Sequence, residues 1–402
     1  MAPQWAEDSL EPDTNSKVIA MDEILVSGFA DHRFEHITEL FRANLANGAD
    51  VGASFSATVE GETVVDLWGG WSDEFRTRPW EKDTIVNVYS TTKTMTALCA
   101  LILADRGALD FDAPVSRYWP EFAANGKSAV KVSHIMAHTA GLSGWTETMS
   151  QSDLYDWEKA TSRLAAQAPL WEPGTAPGYH GFTQGYLVGE IVRRITGQTL
   201  GTFFRIEVAE PLGADFHIGL DQRHDHRVAD LIPPPSGGAI DDGIGDTVPN
   251  ELLLNMVGNP PIDPLATRTR AWRNAEIPAA GGHGNARSIA QIHSILANGG
   301  IAGGKRFLSE NRCRTALVPQ VEDMDLVLGI PAKFSLGFGL ANMIPMPNPN
   351  SIFWGGYGGS LAIIDMDART TISYAMNKMG VTTIGDERGM AMANAIWSAQ
   401  SA

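Results

Sequence analysis

The stretch Ser90-Thr91-Thr92-Lys93 places a hydroxyl and an amine three residues apart. Residues at this spacing lie on the same face of an α-helix, so the Lys93 amine can reach the Ser90 hydroxyl. A lysine in apolar surroundings loses hydration, which favours its neutral form and lets it accept a proton from serine. The pair therefore predicts a serine nucleophile with a lysine base.

The residues after this pair predict a buried helix. The run from 94 to 103 is apolar nearly all round, as in helices that are surrounded by protein. Ser90 would stand at the helix N-terminus, where backbone N–H groups and the helix dipole favour an oxyanion. A structural explanation competes with this one, because serine is a favoured helix cap and lysine can extend its amine to water.

The same spacing occurs a second time, at Ser128 and Lys131. That pair lies in a polar stretch and precedes no long apolar helix, so we interpret it as coincidental. The spacing alone does not separate Ser90 from Ser128, and support must come from other parts of the chain.

A lysine-activated serine needs a second proton carrier and a second donor for the oxyanion. Tyr179 is our candidate carrier, because it follows a turn-rich loop and a phenolate near a lysine ammonium is stabilised. The stretch Trp354-Gly355-Gly356-Tyr357 is our candidate donor segment, since glycine lets the backbone approach a ligand closely. A core tyrosine and a bulged strand are the alternative interpretations.

Length and composition bound the class of protein. The 402 residues have room for two domains or for one domain with an insertion. A net charge of −17 argues against binding nucleic acid or an anionic membrane through a basic surface. We see no signal peptide and no membrane span, and only two cysteines, which together predict a cytoplasmic location.

Hydrophobic patterns at the two chain ends predict a shared sheet. We expect an arm over residues 1–27, a helix through Phe34 and Leu45, and a hairpin that turns at Glu60-Gly61. Near the other end we expect strands over 361–364 and 371–374 and a helix over 386–398.

The chain between these ends has mostly helical patterns broken by long loops. The expected fold class is α/β (α+β): an antiparallel sheet built by both chain ends and flanked by helices, with a mostly helical domain inserted. We place the α/β domain at 28–88 and 284–402, the helical domain at 89–283, and the active site at their interface.

In order and content, the motifs resemble the serine β-lactamase and penicillin-binding-protein superfamily. Within it, the chain is similar to class C β-lactamase-like esterases, the family VIII carboxylesterases. Beside the Ser90, Tyr179 and Trp354 motifs, the supporting segments are Val65-Asp66-Leu67-Trp68-Gly69-Gly70, Gly107 to Val115, His138-Thr139-Ala140-Gly141-Leu142 and Pro278-Ala279-Ala280-Gly281-Gly282.

The resemblance implies a role for each matching residue. Ser90 would be acylated, Lys93 would be its base, and Tyr179 would be a second base that helps to protonate the leaving group. Backbone N–H groups of Ser90 and Tyr357 would form the oxyanion hole, and water would release the acyl group.

Two departures from the lactamase pattern indicate the substrate class. The asparagine of Tyr-x-Asn is replaced by Gly181, and Trp354-Gly355-Gly356 stands where lactamases have Lys-Thr-Gly. Loss of the cation removes an anchor for the β-lactam carboxylate, which favours neutral esters. The expected substrate-binding residues are Trp354, Gly355, Gly356, His180, Gly181, Trp145 and Phe182, and of these Trp145 and Phe182 could equally be core.

Several function classes stay open at this point. Besides an esterase for small to medium neutral esters, the scaffold suits an amidase, a weak β-lactamase, an ester-dependent acyltransferase or a non-catalytic binding protein. The Gly-x-Ser-x-Gly pentapeptide of α/β-hydrolases is absent from the sequence. His224-Asp225-His226 lacks accompanying metal-ligand motifs, so we expect no metal and no cofactor, and the oligomeric state stays open.

Overall fold

The computed structural model describes residues 25–234, 250–383 and 385–401. Most of the arm expected over residues 1–27 therefore lies outside the described residues. At its end the first strand already begins at Val26.

In the described residues, nine strands form one antiparallel sheet in the order β1-β3-β2-β14-β13-β12-β11-β10-β9, and β4, β6 and β5 form a small second one. Residues from both chain ends pair at its centre, where Ser373 lies opposite Ser56. The strands are β1 (Val26–Ala30), β2 (Gly52–Val59), β3 (Glu62–Gly70), β4 (Val86–Asn87), β5 (Phe216–Ile218), β6 (Gly282–Gly284), β7 (Ile301–Ala302), β8 (Lys305–Arg306), β9 (Val321–Met324), β10 (Pro331–Phe334), β11 (Gly339–Leu340), β12 (Ser351–Gly355), β13 (Leu361–Asp365) and β14 (Thr370–Met376).

Helices cover both faces of the large sheet. Successive residues of a strand point to opposite faces, and on β14 Ser373 donates to the Ala286 carbonyl of α10 while Tyr374 packs beside Gly389 of α12. The α-helices are α1 (Glu35–Ala46), α2 (Thr92–Asp105), α3 (Val132–Met136), α4 (Trp157–Ala166), α5 (Thr183–Thr196), α6 (Leu200–Phe204), α7 (Glu210–Leu212), α8 (Glu251–Gly258), α9 (Arg270–Asn274), α10 (Ala286–Ala297), α11 (Glu310–Thr315) and α12 (Glu387–Ser401).

The expected fold class is confirmed, and so are the elements at the two chain ends. The β2–β3 hairpin turns at Glu60 and Gly61, which both have positive φ (53° and 88°), as the tight turns of twisted hairpins require. The helices and strands between β3 and β12 supply most of the residues of the site described below.

Helix α2 is the buried helix that the sequence predicted. Its residues from Thr92 to Ala104 are all buried, and Cys99 lies among them as a core residue with a free thiol. A helix without a solvent face has its orientation fixed on every side by packing. The residues of its first turn are therefore held in place from all directions.

Candidate active site

The chain enters α2 through a tightly held turn. Tyr89 has a φ of 41°, a conformation that costs a non-glycine residue about 1–3 kcal/mol. Its N–H donates to the side chain of Asn87 at 3.3 Å, and its carbonyl accepts from Thr92 Oγ1 at 2.5 Å. Thr92 Oγ1 in turn accepts from the N–H of Gly282. This network sets the direction in which Ser90, the next residue, presents its side chain.

Three side chains meet at this turn. Ser90 Oγ lies 2.6 Å from the Tyr179 hydroxyl and 3.0 Å from Lys93 Nζ. Lys93 Nζ also donates to the carbonyls of Gly181 at 2.6 Å and Ala279 at 3.0 Å. The structure thus brings together the three residues that the sequence singled out for proton transfer, although Tyr179 is 89 residues from Ser90.

Burial controls the charge on Lys93. The side chain is 1% exposed, and desolvation lowers its pKa well below 10.5. A neutral amine has two N–H bonds and one lone pair. The two carbonyls take the N–H bonds, which leaves the lone pair for the proton of Ser90.

Tyr179 is held by its backbone as well as its ring. Its N–H donates to Asp325 Oδ1 at 3.1 Å, and its ring packs against His138 and Trp354 with centroid distances of 5.2 and 6.0 Å. Lys93 Nζ lies 4.9 Å from the ring centroid. The hydroxyl is therefore aimed at Ser90 by contacts from three separate parts of the chain.

Ser90 opens onto an apolar cleft. The lining residues with a side-chain hydroxyl are Tyr89, Ser90, Tyr179, Tyr357 and Thr383, and the described lining carries no lysine, arginine or carboxylate side chain. Its apolar lining includes Tyr89, Phe182, Met256, Val257, Ile262 and Tyr357. Such a cleft fits an uncharged ligand.

Two of the expected substrate-binding residues line this cleft. Gly181 and Phe182 are both part of its wall. A Cβ on Gly181 would come within 2.9 Å of Met256 Sδ. Met256 from α8 therefore occupies the space that a side chain at position 181, such as the lactamase asparagine, would need.

Trp354 lies behind the cleft and is not part of its described lining. Its indole is 3% exposed and stacks on His138, with ring centroids 5.3 Å apart and planes 23° apart. It packs against Tyr179 and borders a second cavity. The residue that replaces the lactamase cation therefore supports Tyr179.

Trp145 and His180 are also buried outside the cleft lining. Trp145 donates its indole N–H to the carbonyl of Ala160 at 3.0 Å. His180 Nε2 accepts from the N–H of Leu142 at 3.1 Å, and its Nδ1 lies 2.5 Å from the carbonyl of Gly178. Desolvation lowers the pKa of His180 to about 4. Through their hydrogen bonds, both residues hold the loops around Tyr179.

Gly355 and Gly356 let β12 approach the start of α2. Gly355 is the last residue of β12, and a Cβ on Gly356 would lie 2.1 Å from the carbonyl oxygen of Val88. Only glycine fits at position 356 without moving backbone. Tyr357, next in the chain, reaches the cleft wall, where its ring packs on Tyr89 with centroids 5.5 Å apart. Ser90 and Tyr357 thus border one cleft, as an oxyanion hole built from their N–H groups requires.

Ser128 and Lys131, the second pair with this spacing, form no such arrangement. Ser128 is exposed, and the Lys131 amine forms an ion pair with Asp112 at 3.1 Å. The structure therefore distinguishes the two Ser-x-x-Lys matches by burial.

The histidine-rich segment at 224–226 belongs to a network of ion pairs and hydrogen bonds. The His224 ring packs on His217 with centroids 4.6 Å apart, and Asp225 pairs with Arg270 at 2.5 Å. Over residues 25–234, 250–383 and 385–401, no group of three or more His, Cys, Asp or Glu side chains could hold a metal ion. Nor does any helix in those ranges have the length and apolarity needed to cross a bilayer.

Sequence reasoning missed two parts of the site. Asp325 is 1% exposed in the β9–β10 hairpin, and no motif marks it. The cleft wall from α8 was not predicted as part of the site, although its apolar run leaves Leu254 and Val257 exposed by 54% and 38%. Apolar residues left in solvent beside a cavity are a signal for a binding surface, but only once burial is known.

Comparisons with known proteins agree with this geometry. The family model described as Beta-lactamase matches residues 37–396. A crystal structure described as a family VIII carboxylesterase is 41% identical, with a TM-score of 0.88 over 94% of this chain and 100% of its own. A penicillin-binding protein homolog from Caulobacter crescentus is 36% identical, with a TM-score of 0.88 over 93% and 100%. The esterase/beta-lactamase LipL of Mycobacterium tuberculosis is 34% identical over 88% of this chain and 83% of its own.

Proposed function

The chain belongs to the beta-lactamase family, as an enzyme of its esterase/β-lactamase hydrolases, and we propose that it is a serine carboxylesterase for small to medium neutral esters. The observation that carries the proposal is the contact of Ser90 Oγ with both Lys93 Nζ and the Tyr179 hydroxyl at the floor of an uncharged cleft. A nucleophile bonded to two proton carriers is the arrangement that acyl transfer needs.

Acylation starts with attack of Ser90 Oγ on the ester carbonyl carbon. The serine proton passes to the Lys93 amine, which burial keeps neutral. The oxyanion is bound by the N–H groups at Ser90 and Tyr357. The bond to the alcohol oxygen then breaks, Tyr179 gives that oxygen its proton, and the proton held by Lys93 restores Tyr179.

Deacylation repeats these steps with water. Water attacks the acyl carbonyl carbon and gives its proton to the Lys93–Tyr179 pair. The bond to Ser90 Oγ breaks, and Ser90 recovers a proton from the same pair. The carboxylic acid leaves, and the three side chains return to their starting protonation.

The charge of the cleft supports esters over β-lactams. A β-lactam antibiotic carries a carboxylate, and burying it without a cation is costly. The described lining offers no cation, and Trp354 lies buried at the position of the lactamase lysine. The apolar wall of Phe182, Met256 and Val257 suits the hydrocarbon part of an ester instead.

An ester-dependent acyltransferase is the alternative that the cleft favours most. Apolar walls lower the local water concentration and offer an alcohol acceptor a surface to bind. An amidase or a weak β-lactamase would use the same acyl-enzyme. The contacts among Ser90, Lys93 and Tyr179 argue against a non-catalytic binding protein. A cytoplasmic location remains a prediction from the sequence.

Hydrolysis of p-nitrophenyl esters of graded chain length, beside a chromogenic cephalosporin, tests the proposal. We expect esters to be turned over far faster than the cephalosporin, and Ser90→Ala to reduce turnover to background. Adding a short alcohol to the assay separates acyl transfer from hydrolysis, since a new ester then appears in the products. Cephalosporin turnover well above that of every ester would contradict the proposed esterase function.

A further inference from the structure

His138 packs against Tyr179 from inside the protein. Its side chain is fully buried and is not among the described residues that line the active-site cleft. No step of the proposed mechanism uses its ring. A histidine in this place does not touch a substrate in the cleft, so any effect it has on the reaction must pass through the side chain that it holds.

His138 contacts three consecutive residues, and Tyr179 is the middle one. The backbone N–H of Gly178 donates to the carbonyl oxygen of His138 at 2.9 Å. The backbone N–H of His180 donates to Nδ1 of the His138 ring at 3.1 Å. Between these two hydrogen bonds, the rings of His138 and Tyr179 pack with their centroids 5.2 Å apart. One residue therefore fixes the backbone on both sides of the tyrosine and the ring that carries the hydroxyl.

The backbone and the charge state of His138 both suit this role. Its φ is 60°, in the left-handed region, where a residue other than glycine stays only if its surroundings fix it. Its Nδ1 accepts a hydrogen bond only while that nitrogen carries no proton. Burial lowers the pKa of the ring well below 6.5, so the ring is neutral near neutral pH and the bond from the His180 N–H persists.

The His138 ring is itself held by two strands of the large sheet. It stacks on Trp354 of β12, with centroids 5.3 Å apart and planes 23° apart. Its edge contact with Phe334 of β10 has a centroid distance of 5.1 Å. Tyr179 therefore packs against a ring whose own position is set by the sheet.

We propose that His138 is a positioning residue, which holds the Tyr179 hydroxyl where it can give its proton to the leaving alcohol. This inference rests on the proposed esterase function, in which the bond from the acyl carbon to the alcohol oxygen breaks and leaves its electron pair on that oxygen. The oxygen takes the Tyr179 proton, and the Lys93 ammonium restores the tyrosine. The substrates that depend on His138 are therefore esters of aliphatic alcohols.

This role predicts a dependence on the leaving group. An aliphatic alkoxide is a strong base and leaves an ester only with a proton, whereas p-nitrophenolate is a weak base and leaves without one. For both esters kcat/KM covers the steps up to release of the alcohol, in which Lys93 takes the serine proton. A displaced Tyr179 should therefore slow an ethyl ester far more than a p-nitrophenyl ester.

Two variants of His138 separate the ring contact from the hydrogen bond. His138→Ala removes both the ring and the acceptor of the His180 N–H. His138→Asn removes the ring contact but keeps an acceptor oxygen close to the position of Nδ1, and asparagine adopts the left-handed conformation readily. His293→Ala is the matched control, because His293 is also buried but lies in α10, outside the described cleft lining. Melting curves check that each variant is folded.

Each variant is assayed by acid release from ethyl butyrate and from p-nitrophenyl butyrate. We expect the loss of kcat/KM in His138→Ala to be roughly tenfold or more greater for the ethyl ester than for the p-nitrophenyl ester. Tyr179→Phe should widen this difference further. His138→Asn should reduce it to about threefold, because the acceptor is kept and only the ring contact is lost. His293→Ala should change both esters by the same factor.

The outcomes separate the role of His138 from the function on which it rests. If the wild-type protein hydrolyses neither ester, or if Tyr179→Phe lowers both equally, the proposed esterase mechanism fails and the positioning role fails with it. If Tyr179→Phe separates the two esters but His138→Ala lowers both equally, or changes neither, only the positioning role is overturned. If His138→Ala does not fold, His138→Asn decides, since equal losses for the two esters, or none, would again overturn the role.

Discussion

The backbone N–H of Tyr179 donates to Oδ1 of Asp325, which stands 146 residues later in the chain, at 3.1 Å. The same oxygen accepts the N–H groups of Val327 and Leu328 at 2.9 Å. Burial raises the pKa of this carboxyl, and its other oxygen is buried without a hydrogen-bond partner in the described structure. One carboxyl group thus fixes a hairpin of the sheet edge against the loop that carries the proposed proton carrier.

We predict that Asp325 is a positioning residue for Tyr179. Asp325→Ala removes the acceptor of three N–H groups, so kcat should fall by about 10- to 100-fold, with KM changing less. Asp325→Asn keeps an oxygen at the same place and should retain most of kcat. Steady-state kinetics at a temperature where every variant is folded measures the difference.

Asp323, which is exposed in the same hairpin, supplies the control. Asp323→Ala should leave both kinetic constants unchanged. If Asp325→Ala and Asp325→Asn lose activity equally, or if Asp325→Ala loses only stability, the positioning role is wrong.

Tyr179→Phe should remove the proton carrier and keep the fold. The ring contacts with His138 and Trp354 persist without the hydroxyl, so melting temperature should change little. Loss of a general acid–base group predicts a drop in kcat of about 10²- to 10⁴-fold. Tyr155→Phe, which removes a partly buried hydroxyl outside the described cleft lining, is the matched control. Near wild-type kcat in Tyr179→Phe would exclude the hydroxyl from proton transfer.

The burial of Lys93 predicts an acid limb in the pH dependence of kcat/KM. Desolvation disfavours the ammonium and lowers the pKa of Lys93 well below 10.5, so the amine is neutral above that lowered value. As pH falls through it, the amine takes up a proton and can no longer accept the one from Ser90. Activity should therefore be lost as pH falls through this lowered pKa and kept at higher pH.

Lys93→Arg tests the same point, because arginine stays charged at every accessible pH. This variant should be inactive over the whole pH range, and Lys93→Met should be inactive as well. Substantial activity of the arginine variant would show that a neutral base at position 93 is not required.

A buried histidine predicts part of the acid sensitivity of the fold. Burial lowers the pKa of His293 in α10 from 6.5 to about 4, and its Nε2 has no hydrogen-bond partner in the described structure. Between these values the unfolded chain binds a proton that the folded one does not. Stability is therefore lost as pH falls from about 6.5 towards 4, at about 1 kcal/mol per pH unit for this one group.

His293→Leu removes the side chain that binds this proton in the unfolded chain and keeps a buried apolar contact. The free energy of unfolding of the variant, measured by denaturant titration at several pH values, should fall less steeply with acid than that of the wild-type protein. Parallel pH curves for the two proteins would show that His293 does not contribute to acid unfolding.

The sequence was sufficient to predict those features whose chemistry and packing follow from local spacing. Ser90 and Lys93 stand three residues apart at the start of a helix whose apolar residues required burial, and the Glu60-Gly61 turn needs no distant contact. Tyr179 could be selected only through the order of motifs along the whole chain. An isolated tyrosine has too many structural uses to be assigned by its neighbours.

Tertiary packing decides what the sequence left open. Met256 fills the space beside Gly181, and Asp325 reaches Tyr179 from a hairpin, although neither residue belongs to a motif. Trp354 was expected to bind substrate, yet its ring stacks on His138 behind Tyr179 and reaches only the second cavity. A side chain's direction depends on the strand's position in the sheet, which single-chain patterns do not specify.

The most direct test of the proposed mechanism is to find the residue that carries the acyl group. Rapid mixing with p-nitrophenyl butyrate, an acid quench and peptide mass spectrometry should place a butyryl group on the peptide that contains Ser90. Ser128→Ala should keep both the adduct and turnover, whereas Ser90→Ala should lose both. A butyryl group on any other residue, or undiminished turnover by Ser90→Ala, would contradict the mechanism.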